Sequence, residues 1–277
     1  MKQVKLDEVG YWTEVKLDII KKYASAYSTI IAKQPFIKGH IYIDGFSGAG
    51  THISKRTEEE ICGSPINALN VNPPFSEYHF VDLHSGKIDL LRKLCEGYAN
   101  TTIYEGDCNK ILLDKVFPRA KYNEYKRGLC LLDPYGLHLN WEVMKTAGQM
   151  KSIEIFLNFP IMDMNMNVLR CSPDNVSPKQ INRMDAFWGD NSWKDVAYKK
   201  EKGLFEEIDE KTGNKVIANA FKKRLKEKAG FGFVPEPIPM RNTNGATIYY
   251  LFFATPDKTA NKIVTQIFGK YRDKGKI

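Results

Sequence analysis

Four aspartates, Asp44, Asp82, Asp107 and Asp133, each close a short apolar run, and the last three follow one another at intervals of 25 and 26 residues. That interval is about one strand–helix unit. In an open parallel sheet, ligands lie beyond the carboxyl ends of the strands near the point where strand order reverses, so carboxylates placed there are candidate ligand contacts. Any one of them could instead cap the helix that follows it, but four in series favour a ligand. Asp44 runs into Gly45-Phe46-Ser47-Gly48-Ala49-Gly50. These glycines allow positive φ and close approach of a ligand to the backbone. Their order, G-x-x-G-x-G, is not the dinucleotide fingerprint, which disfavours NAD. Thr51 and His52 stand where a nucleoside-triphosphate loop needs its lysine and hydroxyl, which disfavours an NTPase. Asp133 opens Asp133-Pro134-Tyr135-Gly136, a tetrapeptide that would also suit an ordinary type I turn.

The elements that must hold these residues alternate. An amphipathic helix is expected over Thr13–Ile31, then strands at His40–Asp44, Tyr78–Asp82, Thr101–Asp107, Leu129–Asp133 and Ile153–Asn158. Between them, Ser64 and Pro65 can start a helix, and Ile88–Tyr98 is amphipathic. Alternation of this kind means a parallel sheet with helices on its faces. The polar stretch Ser54–Cys62 accounts for the longer gap between Asp44 and Asp82. After the fifth strand the alternation lapses through polar turns, among them Ser172-Pro173-Asp174-Asn175, and helical fragments bearing Phe187, Trp188 and Trp193. A helix over Val216–Ala229, a hairpin pairing Gly232–Ile238 with Thr247–Ala254 across Arg241–Gly245, and a helix over Asp257–Tyr271 resume the pattern. The expected organisation is a core over 1–160, an inserted cap over 161–215 and a completion of the core over 216–277.

The sequence D-x-F-x-G-x-G after a strand resembles the first motif of class I S-adenosylmethionine-dependent methyltransferases. The resemblance implies a Rossmann-like α/β fold with a mostly parallel seven-stranded sheet and a C-terminal antiparallel hairpin. It also implies S-adenosylmethionine as cofactor. Asp44, Gly45, Phe46, Ser47, Gly48 and Gly50 would lie along its methionine part, Asp82 with Leu83 at the ribose, and Asp107 with Cys108 at the adenine. The chemistry agrees, since a diol needs paired acceptors and adenine needs an amine acceptor with apolar cover. Asp133-Pro134-Tyr135-Gly136 resembles the D-P-P-Y motifs of amino-methyltransferases, in which the acid and a proline carbonyl hold the target amine and an aromatic ring stacks on a flipped base. Here one proline is missing and glycine replaces the usual aromatic, so Tyr135 would stack from a shifted position. The order Trp12-Thr13-Glu14-Val15-Lys16, Asp44–Gly50, Gly63-Ser64-Pro65, Leu132–Leu137 with Trp141, and Tyr249–Ala254 is similar to the three-Cys-motif partner (TcmP) family. That likeness implies a methyltransferase-like protein working beside a separate cysteine-motif protein that resembles radical enzymes.

Composition bounds these readings. With 277 residues, 43% hydrophobic and 27% charged, the chain has the makeup of a folded globular protein. No run is apolar enough for a membrane span and no leader is apparent, so a cytoplasmic location is expected. The five cysteines, Cys62, Cys95, Cys108, Cys130 and Cys171, contain no C-x-x-C pair and are expected to be reduced and mostly buried. His52, His79, His84 and His138 show no metal-ligand spacing. Trp141, Trp188 and Trp193 are expected in the core, as are Met162, Met164 and Met166, which could alternatively line a substrate wall. The net charge of +8 is concentrated from Lys215 to Ile277, where 13 Lys and Arg face 4 Asp and Glu. Such a segment suits a phosphate backbone as partner. Two functions follow: a methyltransferase acting on an amine of nucleic acid, or a non-catalytic partner that keeps the sheet to dock protein or nucleic acid.

Overall fold

The computed structural model describes residues 5–170, 175–202, 207–242 and 244–272. A two-residue strand, Glu8–Val9 (β1), leads into the long helix Tyr11–Ala32 (α1). The first half of the chain then runs Gly39–Asp44 (β2), Thr51–Ser54 (β3), Glu60–Cys62 (β4), Ser64–Leu69 (α2), Glu77–Asp82 (β5), Ser85–Leu94 (α3), Thr101–Glu105 (β6) and Cys108–Ile111 (α4). The alternation continues with Lys126–Leu132 (β7), Trp141–Met150 (α5) and Ile153–Phe159 (β8). Next come Ile161–Asn167 (α6), Pro178–Trp188 (α7), Trp193–Ala197 (α8), Tyr198–Lys202 (β9) and Glu207–Lys211 (β10). Asn214–Glu227 (α9), Ile238–Arg241 (β11), Thr247–Ala254 (β12) and Lys258–Arg272 (α10) close the described chain.

Seven strands form one sheet in the order β11-β12-β8-β7-β2-β5-β6, parallel except for β12, which runs antiparallel to both its neighbours. Strand order reverses between β2 and β7. This is the Rossmann-like class I methyltransferase fold expected from the sequence, with the reversed strand contributed by the C-terminal hairpin. Side chains alternate across the sheet with the period of two that a strand imposes. Ile41, Ile43, Cys130, Leu132, Ile155 and Leu157 face the layer of α4, α5 and α9, while Tyr42, Leu129, Leu131 and Phe156 face α1, α2 and α10. Burial on both faces explains why these strands read as continuous apolar runs.

Several boundaries differ from expectation for identifiable reasons. β6 stops at Glu105, because Gly106 turns the chain with φ of 143°. The stretch 232–237 is not a strand beyond an isolated bridge from Phe233 to Thr255; Pro235 and Pro237 have no N–H to give a ladder, and pairing with β12 begins at Ile238. The polar stretch after Gly50 holds the β3–β4 hairpin, which joins β1 in a separate three-stranded sheet. Hydrogen bonds from the Ser54 hydroxyl to Glu14 (2.6 Å) and from Lys87 to Asp7 (2.6 Å) tie this sheet to α1 and α3. Cys95, Cys108 and Cys130 are buried and Cys62 is exposed. Cys171, the turn residues 172–174, Thr243 and the last five residues of the basic C-terminal segment lie outside the described residues.

At the start of β8, the buried Glu154 carboxylate accepts the Tyr23 hydroxyl from α1. Burial pushes its pKa up to about 7, and the Tyr23 and Thr255 hydroxyls offset part of that rise. The folded protein therefore holds a proton that the unfolded chain, with an ordinary value of 4.5, releases earlier. Stability should fall as pH rises between those two values and level off above them. Glu154→Gln should flatten that decline, which urea unfolding at pH about 5 and about 8 would detect. An unchanged slope would mean that Glu154 is ionised in the fold.

Candidate active site

β2 delivers Asp44 with no exposure, and its carboxylate accepts the Ser64 hydroxyl (2.5 Å) and the Phe46 N–H (3.1 Å). Asp44 thus lies behind the glycine loop and anchors it. Burial raises its pKa to about 7, the Ser64 and Phe46 hydrogen bonds pull the other way, and Asp133 and Asp82 add to the rise. The loop is pinned from both sides: Gly45 N–H donates to Leu131 O (2.9 Å), and Ser47 N–H donates to Val81 O (2.9 Å). Gly48 sits at φ 63° with nothing within 4 Å of where a Cβ would stand, so its backbone faces open space. Its N–H donates to Asp82 Oδ2 (2.9 Å), and His84 N–H donates to Asp82 Oδ1 (2.8 Å). Leu83, between them, is 75% exposed. Across the cleft Asp107 caps α4 by accepting the Asn109 N–H (3.0 Å), with Cys108 buried behind it.

The other half of the cleft draws on distant segments. Lys16 of α1, 5% exposed, donates to Asp133 Oδ2, and its ammonium stands 5.5 Å from the centre of the Tyr249 ring. Burial alone would lower the Lys16 pKa, but Asp133 more than offsets this and the value is raised. The Tyr249 hydroxyl in turn donates to Trp12 O (3.1 Å). No hydrogen bond among the described residues engages Asp133 Oδ1. Pro134 is buried, and Tyr135 projects at the rim with 92% exposure. Gly136 has φ 66°, and a Cβ there would come within 2.9 Å of the Asp163 carboxylate. Both facts explain why glycine stands where the D-P-P-Y motifs usually carry an aromatic. Asn109 fixes the loop beyond, donating to His138 O (3.0 Å) and accepting the Asn140 N–H (2.7 Å). His52, on β3, and Asn158, on β8, also face the cleft, and the Asn158 carboxamide oxygen is buried without a partner among the described residues.

These residues line one cavity of about 1340 Å³. That exceeds the roughly 300–1,000 Å³ of common small-molecule sites, leaving room for a cofactor and an acceptor together. Of the residues singled out in the sequence, Gly45, Phe46, Ser47, Gly48, Asp82, Leu83, Asp107, Cys108, Asp133, Pro134 and Tyr135 line it. Asp44 and Gly50 do not. Gly50, at φ 86°, instead packs toward Leu91 of α3. The set fits a nucleoside bearing a thioether or sulfonium tail. The Asp82 carboxylate spends one bond per oxygen on backbone N–H groups and keeps further lone pairs for a diol, while Leu83 offers apolar cover. Sequence reasoning assigned no role to Lys16, Tyr249, Asn158, His52 or the face of α7. Lysine is usually solvated, so nothing local marks Lys16 as buried.

The remaining expectations sort simply. Trp141, Trp188 and Trp193 are in the core. Met164 is buried, Met162 and Met166 are exposed, and none of the three lines the cleft. Among the described residues no group of three or more His, Cys, Asp and Glu could hold a metal ion, and no helix is long and apolar enough to cross a membrane. The cations of α9 lie elsewhere. Lys222, Lys223 and Lys226 line a separate concavity with Gly232–Glu236, which shares no lining residue with the cleft. Arg224 is used internally, donating to Trp188 O (2.5 Å) and Asp190 (2.5 Å) over the Trp141 ring.

No protein-family model matches the chain, and no curated protein matches it by sequence. Solved structures do. Protein LPL1258 from Legionella pneumophila str. Philadelphia 1, of family-model DUF519, superposes with a TM-score of 0.52 at 11% identity, covering 95% of this chain and 93% of that one. The DszA carbon methyltransferase gives a TM-score of 0.46 at 13% identity over 88% of this chain and 54% of its own. The N-terminal domain of EvdMO1, solved in the presence of SAH and D-fucose, gives 0.43 at 12% identity over 85% and 81%. The likeness to LPL1258 is one of fold, in agreement with the sheet order.

Proposed function

We propose that this protein is an S-adenosylmethionine-dependent methyltransferase that acts on an exocyclic amine of a nucleic-acid base. The observation that carries the reading is the placement of Asp133 in the same cavity as the Gly45–Gly48 loop and Asp82. One carboxylate oxygen is held by a buried lysine and the other is uncommitted. The bound cofactor supplies an electrophilic sulfonium methyl. Asp82 and Leu83 hold its nucleoside, with Asp107 and Cys108 at the adenine. Asp133 Oδ1 and the Pro134 carbonyl accept the amine N–H groups, which orients the nitrogen lone pair and draws it toward sp³ geometry; rate comes mainly from that orientation. The proton lost from the methylated nitrogen passes to solvent by way of the same carboxylate, whose side chain is 25% exposed. Lys16 is a positioning residue here, fixing the rotamer and charge of Asp133.

Residues 161–215 act in this reading as a cap, with α7 as the part that reaches the cleft. Kinship with the three-Cys-motif partner family is also proposed. Its support is spatial: the segments that carry the resemblance supply Lys16, the Gly45–Gly48 loop, Ser64 on Asp44, Asp133–Leu137 and Tyr249, all at one cleft or directly behind it. Titration calorimetry with S-adenosylmethionine tests the whole reading. Saturable one-site binding is the expected result, and absence of heat and of any shift in Tm at millimolar cofactor would end it.

A further inference from the structure

α7 turns one face to the cleft. Lys179, Asn182, Arg183 and Ala186 recur as i, i+3, i+4 and i+7 and all line the cavity, whereas Met184, Phe187 and Trp188 are buried. A polar helix face is ordinarily solvated surface, but this one lies over a cleft beside His138 and the Tyr135 rim. Lys179 is exposed and makes no ion pair among the described residues. Arg183 donates through Nη1 to Gln180 (2.7 Å), and its Nη2 stands 3.4 Å from His138 Nε2 and 3.8 Å from an Asp163 carboxylate oxygen. Its buried Nε has no partner among the described residues. The two cations are one helical turn apart, about 6 Å, which suits a run of negative charge better than a point. The α9 cations, to which composition had pointed, line a different concavity.

We propose that Lys179 and Arg183 are the phosphate-binding face of the acceptor site, so that the acceptor is a base within a polynucleotide whose backbone lies along α7. Arg183, its side chain 24% exposed, offers the remaining Nη hydrogens to a phosphodiester, and Lys179 adds a mobile point charge beside it. Tyr135, exposed at the same rim, supplies the ring on which an extruded base can stack. The direction of the base rests on the methyltransferase reading. The anion face does not, and it can be measured without cofactor.

The test is fluorescence anisotropy of a labelled single-stranded oligoribonucleotide against the full chain over a range of salt concentrations. Lys179→Gln with Arg183→Gln should lower the slope of log affinity against log salt by about 1.4, or about 0.7 for each lost phosphate contact. Lys223→Ala with Lys226→Ala should leave the slope unchanged. Lys179→Glu, at an exposed position, gives the same test without altering Arg183 and should weaken binding at least tenfold. An unchanged slope in both α7 variants overturns the proposal. So does a slope lost from the α9 variant instead, or affinity for a mononucleotide equal to that for the oligonucleotide. Calorimetry with S-adenosylmethionine on the same α7 variants should match the unsubstituted protein. If that protein binds oligonucleotide through α7 but no cofactor, the methyltransferase reading fails and the anion face stands.

Discussion

Asp133→Ala is expected to lower turnover about a hundredfold to a thousandfold while leaving cofactor affinity within about twofold, because on the proposed reading it removes the acceptor that orients the amine and touches nothing at Asp82. It should also destabilise the fold. The substitution strands the Lys16 ammonium, buried and charged, and breaking a buried pair from one side costs about 3–5 kcal/mol; partial exposure of Asp133 places this case near 3. The sign of the pH dependence follows from Lys16. Burial opposes its charge, Asp133 overcomes that, and the folded value is raised. Stabilisation from the pair on the lysine side is therefore complete below the unfolded lysine range and is lost as pH rises through the higher folded value, so it should weaken only under alkaline conditions. Lys16→Met with Asp133→Ala should recover most of the stability and none of the turnover. Single-turnover assays and urea unfolding of the two variants measure the two effects separately. Full turnover in Asp133→Ala would remove Asp133 from the chemistry.

Asp82→Ala should weaken S-adenosylmethionine binding by about a hundredfold or more. Each hydrogen bond to a charged group contributes about 1.5–3 kcal/mol, and a diol makes two, so a loss of at least about 3 kcal/mol corresponds to two decades in Kd. The same change leaves the Gly48 and His84 N–H groups without their acceptor, loosening the loop along which the proposed cofactor tail would lie. Asp107→Ala is the internal comparison. Its carboxylate already serves as a helix cap worth about 1 kcal/mol, so it should cost less in affinity. The thermal shift at fixed cofactor concentration reports both through the ligand term in stability. Undiminished affinity in Asp82→Ala would exclude it as the ribose contact.

The part of the cleft built on the Gly45–Gly48 loop was legible in the sequence because it is local. A strand, a glycine turn and a strand-end carboxylate lie within a few residues of each other, and burial on both faces writes the strands as apolar runs. In the other half of the cleft only Asp133, Pro134 and Tyr135 were legible, because they too are local; Lys16, Asn158 and Tyr249 share no local pattern and come together only through the sheet order. The β1-β3-β4 sheet was hidden for a different reason. Its exposed, polar strands carry neither alternation nor an apolar run, and pairing between Glu8 and Ile53 is visible only in space. The hairpin was anticipated but its first strand was placed too early: Pro235 and Pro237 give no N–H to a ladder, and β11, at the edge of the sheet, begins at Ile238. The basic character of the C-terminal segment was plain, yet composition says nothing of placement, and Lys222, Lys223 and Lys226 line a different concavity from the cleft.

Tyr249 and Trp12, hydrogen-bonded in the wall of the cleft, stand 237 residues apart in the chain. On the proposed reading, the segments that would cradle the nucleoside emerge early during synthesis, whereas the pocket that would take the methyl acceptor closes only when β12 has been made and packed. If the proposed reading holds, methyl transfer would need the whole domain, because Tyr249 and the buried β12 complete the cleft wall last. Limited proteolysis that removes the final hairpin from the finished protein would test this: methyl transfer should cease before donor affinity does.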